Sequence, residues 1–391
     1  MNERQNRETA RALESNLTTS QYQSHMVVAL RLGAYDVGAH AWLGTAIRRS
    51  AASGILYLSA VNPCNDRRRR WTLRAALAKV SLRHRVRRVI HHQEWSISVM
   101  DKRAEESELG QFIPLHYHHN MLMNVGRMSG FKAAIDHVVF NGAKVLELGG
   151  GTGVLSFFAA AAHASKVWCV EFNPDMVAEA GRLLALNGVE HLVEMVHADA
   201  FEYLPPEPVD VVICEMIHSA MLREKQVEVI EAFKQRYRNR FGDRLPVFLP
   251  EVIIMAVQPV QQSYDFFGFY APIIQFQHPG VLEPGTIELA DPVVYSQLDF
   301  SQPNSREIQW RGEFIMKQTS TVNALRFLTK NVLSVLADEG TTIDWINQYL
   351  VMPLAEPLEA TKGAKVLVDF SYLAGGTLKS LGDNMRATVV S

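Results

Sequence analysis

The period of hydrophobic and polar positions changes twice along the chain. Residues 1–20 are polar throughout. Over residues 22–90, small and apolar residues interleave with polar ones, as in MVVALRLGAYDVGAHAWLGTAIRRSA, and Leu73, Leu77 and Val80 keep the i, i+4, i+7 spacing of one helix face. This predicts a mainly helical N-terminal module over residues 1–105, with the charged stretch DKRAEESELG, residues 101–110, as its linker.

The period then shifts to short apolar runs alternating with helical stretches. KVLELG, KVWCVE, VEMVHAD and VDVVICE read as buried parallel strands, and residues 153–163 and 175–187 as helices between them. That alternation predicts a doubly wound, Rossmann-like α/β domain over residues 106–245. From Pro246 onward the texture is β, in runs such as VFLPEVIIMAVQPV, EIQWRGEFIMKQT and KVLVDFSYL. Residues 246–391 are therefore expected to form an antiparallel β domain, a sandwich or barrel.

Composition changes this picture in two respects. No run of 18 apolar residues occurs, the first residues have no apolar core, and the three cysteines lie far apart, so a cytoplasmic protein is expected, with neither a membrane span nor a secretory signal. The net charge of −2 hides a split: the first 100 residues hold sixteen Lys/Arg against six Asp/Glu, with ten of the basic residues between Arg67 and Arg88. A solvated helix face accounts for that stretch more simply than nucleic acid, which remains an alternative partner.

The candidate chemistry sits in LELGGGTG, from Glu147 to Gly153. Glycines at a strand end let the backbone turn sharply and approach a ligand, and the helix that follows offers free N–H groups to a carboxylate. Val154 occupies the place where a dinucleotide fingerprint has its third glycine, so Gly149, Gly151 and Gly153 spell a GxGxG that favours S-adenosylmethionine over NAD. Glu171, at the end of the second strand, is placed to accept the ribose hydroxyls. Asp199 ends the third strand near the adenine amino group, with Ala200 beside it.

These segments resemble the protein arginine methyltransferases. HHNMLMNVGRMSGFKAAI is similar to that family's N-terminal cofactor-covering helix, and CEM to the start of its double-E loop. IDWINQ resembles its Thr-His-Trp loop, with Asp344 in place of the histidine and Trp345 kept. The resemblance covers residues 112–391. It implies a C-terminal β-barrel, with His118 and Met121 against the cofactor and Arg127 gripping its carboxylate. Glu215 becomes the first acid of the acceptor site, and Asp344 and Trp345 acceptor contacts. It also implies a dimerisation arm at about Pro259 to Ile274, shortened here, and so a possible homodimer. In the double-E loop SAML follows Glu215 early, so the loop reads as shortened, and Glu224, nine residues on, is expected in the following helix as an uncertain second acid.

Methyl transfer from a sulfonium is an in-line displacement that requires a nucleophile held against the methyl group. Two carboxylates flanking a guanidinium would direct a nitrogen at it. Glu215 is one, and His218 is a candidate second polar contact or proton acceptor. The histidines His116, His118 and His119, with His91 and His92, are not expected to bind a metal. The expected activity is methylation of an arginine-like guanidino nitrogen in a protein or small molecule. Two alternatives stand beside it: a small-molecule N- or O-methyltransferase of specialised metabolism, and a non-catalytic cofactor-binding regulator.

Overall fold

A computed structural model describes Ile113, residues 115–390, and three N-terminal strands: β1 (Val28–Leu30), β2 (Leu43–Arg49) and β3 (Leu56–Val61). These strands pair antiparallel in the order β1-β2-β3, inside the stretch expected to be mainly helical. Runs as short as LYLSAV carry too few residues for a helical period to be told from a strand period. The linker, the basic stretch from Arg67 to Arg88, His91 and His92 lie outside the described residues.

Two helices open the continuous part, α1 (Leu115–Met123) and α2 (Val125–Val138). Asn124 separates them and caps α2, its Oδ1 accepting from Arg127 N at 3.0 Å. A five-stranded parallel sheet follows, ordered β6-β5-β4-β7-β8, from β4 (Lys144–Leu148), β5 (Lys166–Glu171), β6 (Val193–His197), β7 (Val211–Cys214) and β8 (Val247–Leu249). Helices α3 (Val154–Ala161), α4 (Pro174–Leu186) and α5 (Gln226–Phe241) connect these strands. This is the doubly wound order, with its reversal at β4 and β7, where open sheets of this kind gather ligands.

The remainder is antiparallel. The long strands β9 (Val252–Gln262) and β16 (Ser320–Leu336) centre a seven-stranded sheet, and β15 (Glu307–Ile315), β19 (Lys365–Leu373) and β20 (Arg386–Val390) form a second. The sheets share an aromatic core in which Tyr295 meets Phe327 at 6.0 Å and Phe370 at 5.1 Å. Two antiparallel sheets packed on one shared core fit the sandwich or barrel expected after the Rossmann-like part. One hydrophobic core runs through both parts, from Val145 and Phe233 to Phe327 and Phe370.

Helix α2 rests on the β part. A Cβ on Gly130 would stand 3.1 Å from Leu333 Cδ1 and 3.4 Å from the Asp344 carbonyl, in β17 (Thr341–Ile346), so glycine allows a close approach that a larger residue could make only if Leu333 shifted. Of the arm expected at Pro259 to Ile274, Pro259 belongs to β9. Beyond it β10 (Asp265–Phe266) and β11 (Phe269–Tyr270) make a short hairpin with Phe267 and Phe269 exposed. No helix among the described residues is long and apolar enough to cross a membrane.

Candidate active site

The glycine segment leaves β4 and closes against β5. Gly149 N and Gly150 N both donate to the Val170 carbonyl, at 3.0 and 2.8 Å. Gly150 has no room for a side chain, because a Cβ there would lie 2.3 Å from Cys169 Sγ. Gly151 adopts φ +52°, and a Cβ on it would meet the His118 ring at 3.0 Å. Thus α1 lies over the loop as expected of a covering helix, and Gly153, at φ +76°, caps α3.

Glu171 braces this loop. Its Oε2 accepts from Gly151 N at 2.9 Å and its Oε1 from Asn173 N at 2.8 Å, which leaves each oxygen a second lone pair toward the cavity. Asp199 Oδ1 accepts from Phe201 N at 2.9 Å. Glu147 lies under the loop and holds the first turn of α3, accepting from Ser156 N at 2.9 Å and from the Ser156 hydroxyl. Burial pushes its carboxyl up to about 7. Burial also lowers the pKa of His118, with Glu171 pulling the other way.

These groups line one cavity of about 380 Å³, which includes Met121, Arg127, Glu147, Glu171, Asp199 and Ala200 together with Glu215 and Glu224. That size suits a nucleoside-sized cofactor with a small acceptor beside it. Arg127 is buried and ion-paired with Glu215, and Trp345 lies 5.9 Å from its guanidinium carbon. The Arg127 Nε is buried with no protein acceptor. A buried donor without a partner costs about 1–3 kcal/mol, and a ligand carboxylate would satisfy it. The glycine cradle, the spare lone pairs of Glu171 and this orphaned donor fit S-adenosylmethionine.

Glu224 departs from the sequence expectation. Helix α5 begins only at Gln226, so Glu224 lies in the preceding loop and faces the same cavity as Glu215. Its carboxyl is pushed up to about 8, first by burial and then by the charge of Glu215. Burial raises Glu215 as well, against the pull of Arg127. The return of the chain is made by Ala220, Met221 and Arg223, all non-glycine residues at positive φ (58°, 55° and 62°). Such conformations cost energy and persist only when their surroundings fix them. The β part supplies the fixing: Ala220 N donates to Thr329 Oγ1 at 2.8 Å, Tyr372 OH donates to the Ala220 carbonyl at 2.9 Å, and Ser219 Oγ donates to the Gln348 carbonyl at 2.6 Å. Inside the loop, Met216 N donates to Oε1 of the fully buried Gln226 at 3.0 Å.

Three expected residues lie elsewhere. His218 does not line the cavity; its ring meets Phe276 edge-on at 5.5 Å, its Nδ1 pairs with the Ser219 carbonyl, and burial lowers it to about 4. The imidazole is neutral at pH 7 and turned toward the β part. Asp344 pairs with Lys330 at 2.7 Å, and Trp345 packs on Phe131 and Arg127, so both support α2 rather than touch the cavity. The cavity is also lined by residues that carry no sequence motif, among them Met216, whose Cε would stand 2.7 Å from a Cβ on Gly149, and Arg223 and Lys225, on either side of Glu224.

Comparison with known proteins agrees with this geometry. Residues 145–239 match the methyltransferase domain family, a span that holds the glycine loop, Glu171, Asp199, Glu215 and Glu224. The chain is an S-adenosylmethionine-dependent methyltransferase that resembles the protein arginine methyltransferases. It is 30% identical to an uncharacterised protein of Methanothermobacter thermautotrophicus, over 70% of this chain and 97% of that one. It is 34% identical to the histone-arginine methyltransferase CARMER of Drosophila erecta, over 34% of this chain and 26% of that protein. Among solved structures, the Trypanosoma brucei PRMT1 enzyme-prozyme heterotetrameric complex with AdoHcy shares the fold. Its TM-score is 0.53 at 17% identity, covering 70% of this methyltransferase and 98% of that chain.

Proposed function

We propose that this methyltransferase transfers a methyl group to a nitrogen of a guanidino group held between Glu215 and Glu224. The observation that carries the reading is that these two acids line one cavity, where burial first and the charge of Glu215 second push the Glu224 carboxyl up to about 8. Two carboxylates of like charge sharing a confined site resist ionising together, and a cation between them removes the conflict. A guanidinium stays protonated and offers a planar fork of donors that matches two carboxylates. The pair would fix its plane and aim one nitrogen for in-line attack, and one of the two carboxylates would take the proton which that nitrogen gives up as the methyl group is transferred and S-adenosylhomocysteine leaves.

The rest of the cavity would hold the cofactor. Glu171 would accept the ribose hydroxyls, Asp199 with Ala200 would meet the adenine, and Arg127 would take the carboxylate on its unpartnered Nε while it keeps Glu215 in place. His118 and Met121 would cover the loop of Gly149, Gly151 and Gly153, with Glu147 beneath it. S-adenosylmethionine supplies an electrophilic methyl group when bound. The exposed hairpin of Phe267 and Phe269 is compatible with self-association.

The test is single-turnover methyl transfer to arginine-containing acceptors by Glu215→Gln and Glu224→Gln, with S-adenosylhomocysteine affinity measured in parallel. Each variant should lose turnover about a hundred-fold or more, the size expected when one of two positioning charges is removed. Affinity for the cofactor product should change little for Glu224→Gln. Wild-type turnover in Glu224→Gln would remove the two-carboxylate reading.

A further inference from the structure

Arg127 stands between the two ends of the site. Its Nη2 is ion-paired with Glu215, while its Nε is buried with no protein acceptor, so one guanidinium faces the acceptor acid and keeps a donor in reserve. The paired side chains are only 9% and 11% exposed, and charges so enclosed are weakly screened. What holds the guanidinium in this position comes from the β part. Trp345, in β17, has its ring 5.9 Å from the guanidinium carbon and 6.3 Å from the ring of Phe131 in α2. The first turn of α2 lies along the indole, where a Cβ on Gly126 would stand 4.0 Å from Trp345 Cδ1. Asn331 Nδ2, in β16, fixes the strand beneath by donating to the Trp345 carbonyl at 3.2 Å. Trp345 is buried and does not line the cavity, so it meets the site only through Arg127. An arginine side chain carries about 2 kcal/mol of rotamer entropy, and stacking on an aromatic face restricts that freedom.

We propose that Trp345 is a positioning residue that makes Arg127 a coupling element. It holds the guanidinium so that a ligand carboxylate on Nε and the acid Glu215 share one positive charge, and binding of the cofactor and of a cationic acceptor reinforce each other. The inference rests on the guanidino reading of the acceptor site. With the cofactor end of the cavity empty, Arg127 gives its whole charge to Glu215 and competes with a cationic acceptor for that carboxylate. A second carboxylate on the guanidinium takes part of the charge and leaves Glu215 more negative toward the acceptor. It also anchors Arg127 at both edges, so Glu215 is held in one orientation before the acceptor arrives. Coupling of this kind is reciprocal: the acceptor tightens the cofactor by the factor with which the cofactor tightens the acceptor.

The experiment is calorimetry on the full-length protein with two guanidinium probes, agmatine and a short capped arginine peptide. Each is titrated into the protein alone, into protein saturated with S-adenosylhomocysteine, and into protein saturated with decarboxylated S-adenosylhomocysteine, which lacks only the carboxylate. S-adenosylhomocysteine should tighten the probe about ten-fold, within the usual range for coupled sites, and the decarboxylated analogue should leave it nearly unchanged. Trp345→Leu keeps an apolar side chain and removes the ring face, and its coupling factor should fall close to one. Trp345→Phe restores a ring and should recover part of the coupling; it also carries the test if the leucine variant does not fold, its factor then lying between one and that of the wild type. A merely structural role for Trp345 would lower the melting temperature and weaken each ligand alone while leaving the ratio intact, and that result removes Trp345 from the proposal. Equal probe affinity with and without S-adenosylhomocysteine, or equal tightening by the decarboxylated analogue, overturns the coupling and leaves the guanidino reading standing. Binding of neither probe in any state overturns that reading and the coupling together.

Discussion

Among single residues, Glu171 and Glu224 make the sharpest claims. Glu171 has both oxygens committed to backbone donors at 2.9 and 2.8 Å, yet each retains a lone pair for a ribose hydroxyl. Glu171→Ala removes those acceptors and also frees Gly151 N. The expected loss of S-adenosylhomocysteine affinity is roughly 1.5–3 kcal/mol by calorimetry, the value of bonds to a charged acceptor. Glu224 predicts a pH dependence. Its folded pKa, about 8, lies above the ordinary carboxylate value, so the folded protein binds a proton there that the unfolded chain has released. Through this group stability falls as pH rises from about 4.5 to 8. A cationic acceptor prefers the ionised acid, so kcat/KM should rise with pH through about 8, with proton release on binding. In Glu224→Gln that step should disappear from the pH profile. If it stays, another group controls acceptor binding.

At the scale of elements, the sequence was legible where function sits on regular structure and illegible where it sits on a strained turn. Glu171 ends a strand, Asp199 lies in the turn just beyond one, and the glycines fall between β4 and α3, because period and turn chemistry fix such positions. Glu224 reads as helical in the sequence because nothing in SAMLREK signals three non-glycine residues at positive φ. The motif assigns Asp344 and Trp345 to the acceptor; in the fold Asp344 pairs with Lys330, and Trp345 packs on Arg127 and Phe131 of α2. The N-terminal strands are not legible because runs of three to seven residues suit either period. The turn itself can be tested through Gln226, whose side chain joins its two ends. Gln226→Leu keeps the volume and removes the acceptor from Met216 N, stranding a buried N–H at about 1–3 kcal/mol. Acceptor KM and kcat should both deteriorate while S-adenosylhomocysteine affinity holds. An unchanged acceptor KM would show that the turn needs no tie at this point.

For the whole molecule, the parallel sheet supplies the acids and the β part decides where they point. Tyr372 OH holds the Ala220 carbonyl and is itself bonded to Tyr295 OH at 2.8 Å, while Thr329 holds Ala220 N, all buried inside the second structural layer. The Glu215–Glu224 loop is therefore shaped from across the interface, and the two parts share one core. Two consequences differ in size. A chain truncated after residue 245 would lose β8 and expose Phe233 and Ile230, which are fully buried, at roughly 1.5–3 kcal/mol for each large apolar side chain, and should not fold alone. Tyr372→Phe is the gentler test, because it keeps the ring in the aromatic core and removes only the hydroxyl. A net hydrogen bond is worth about 0.5–1.5 kcal/mol, so the melting temperature should fall modestly, while acceptor turnover should fall further as left-handed Ala220 loses its fixing. Thermal unfolding and methyl-transfer assays on that one variant separate the two effects. A fall in stability with turnover per folded molecule intact would mean that the β part merely braces the loop, and that the positions of Glu215 and Glu224 are set within the parallel-sheet part itself.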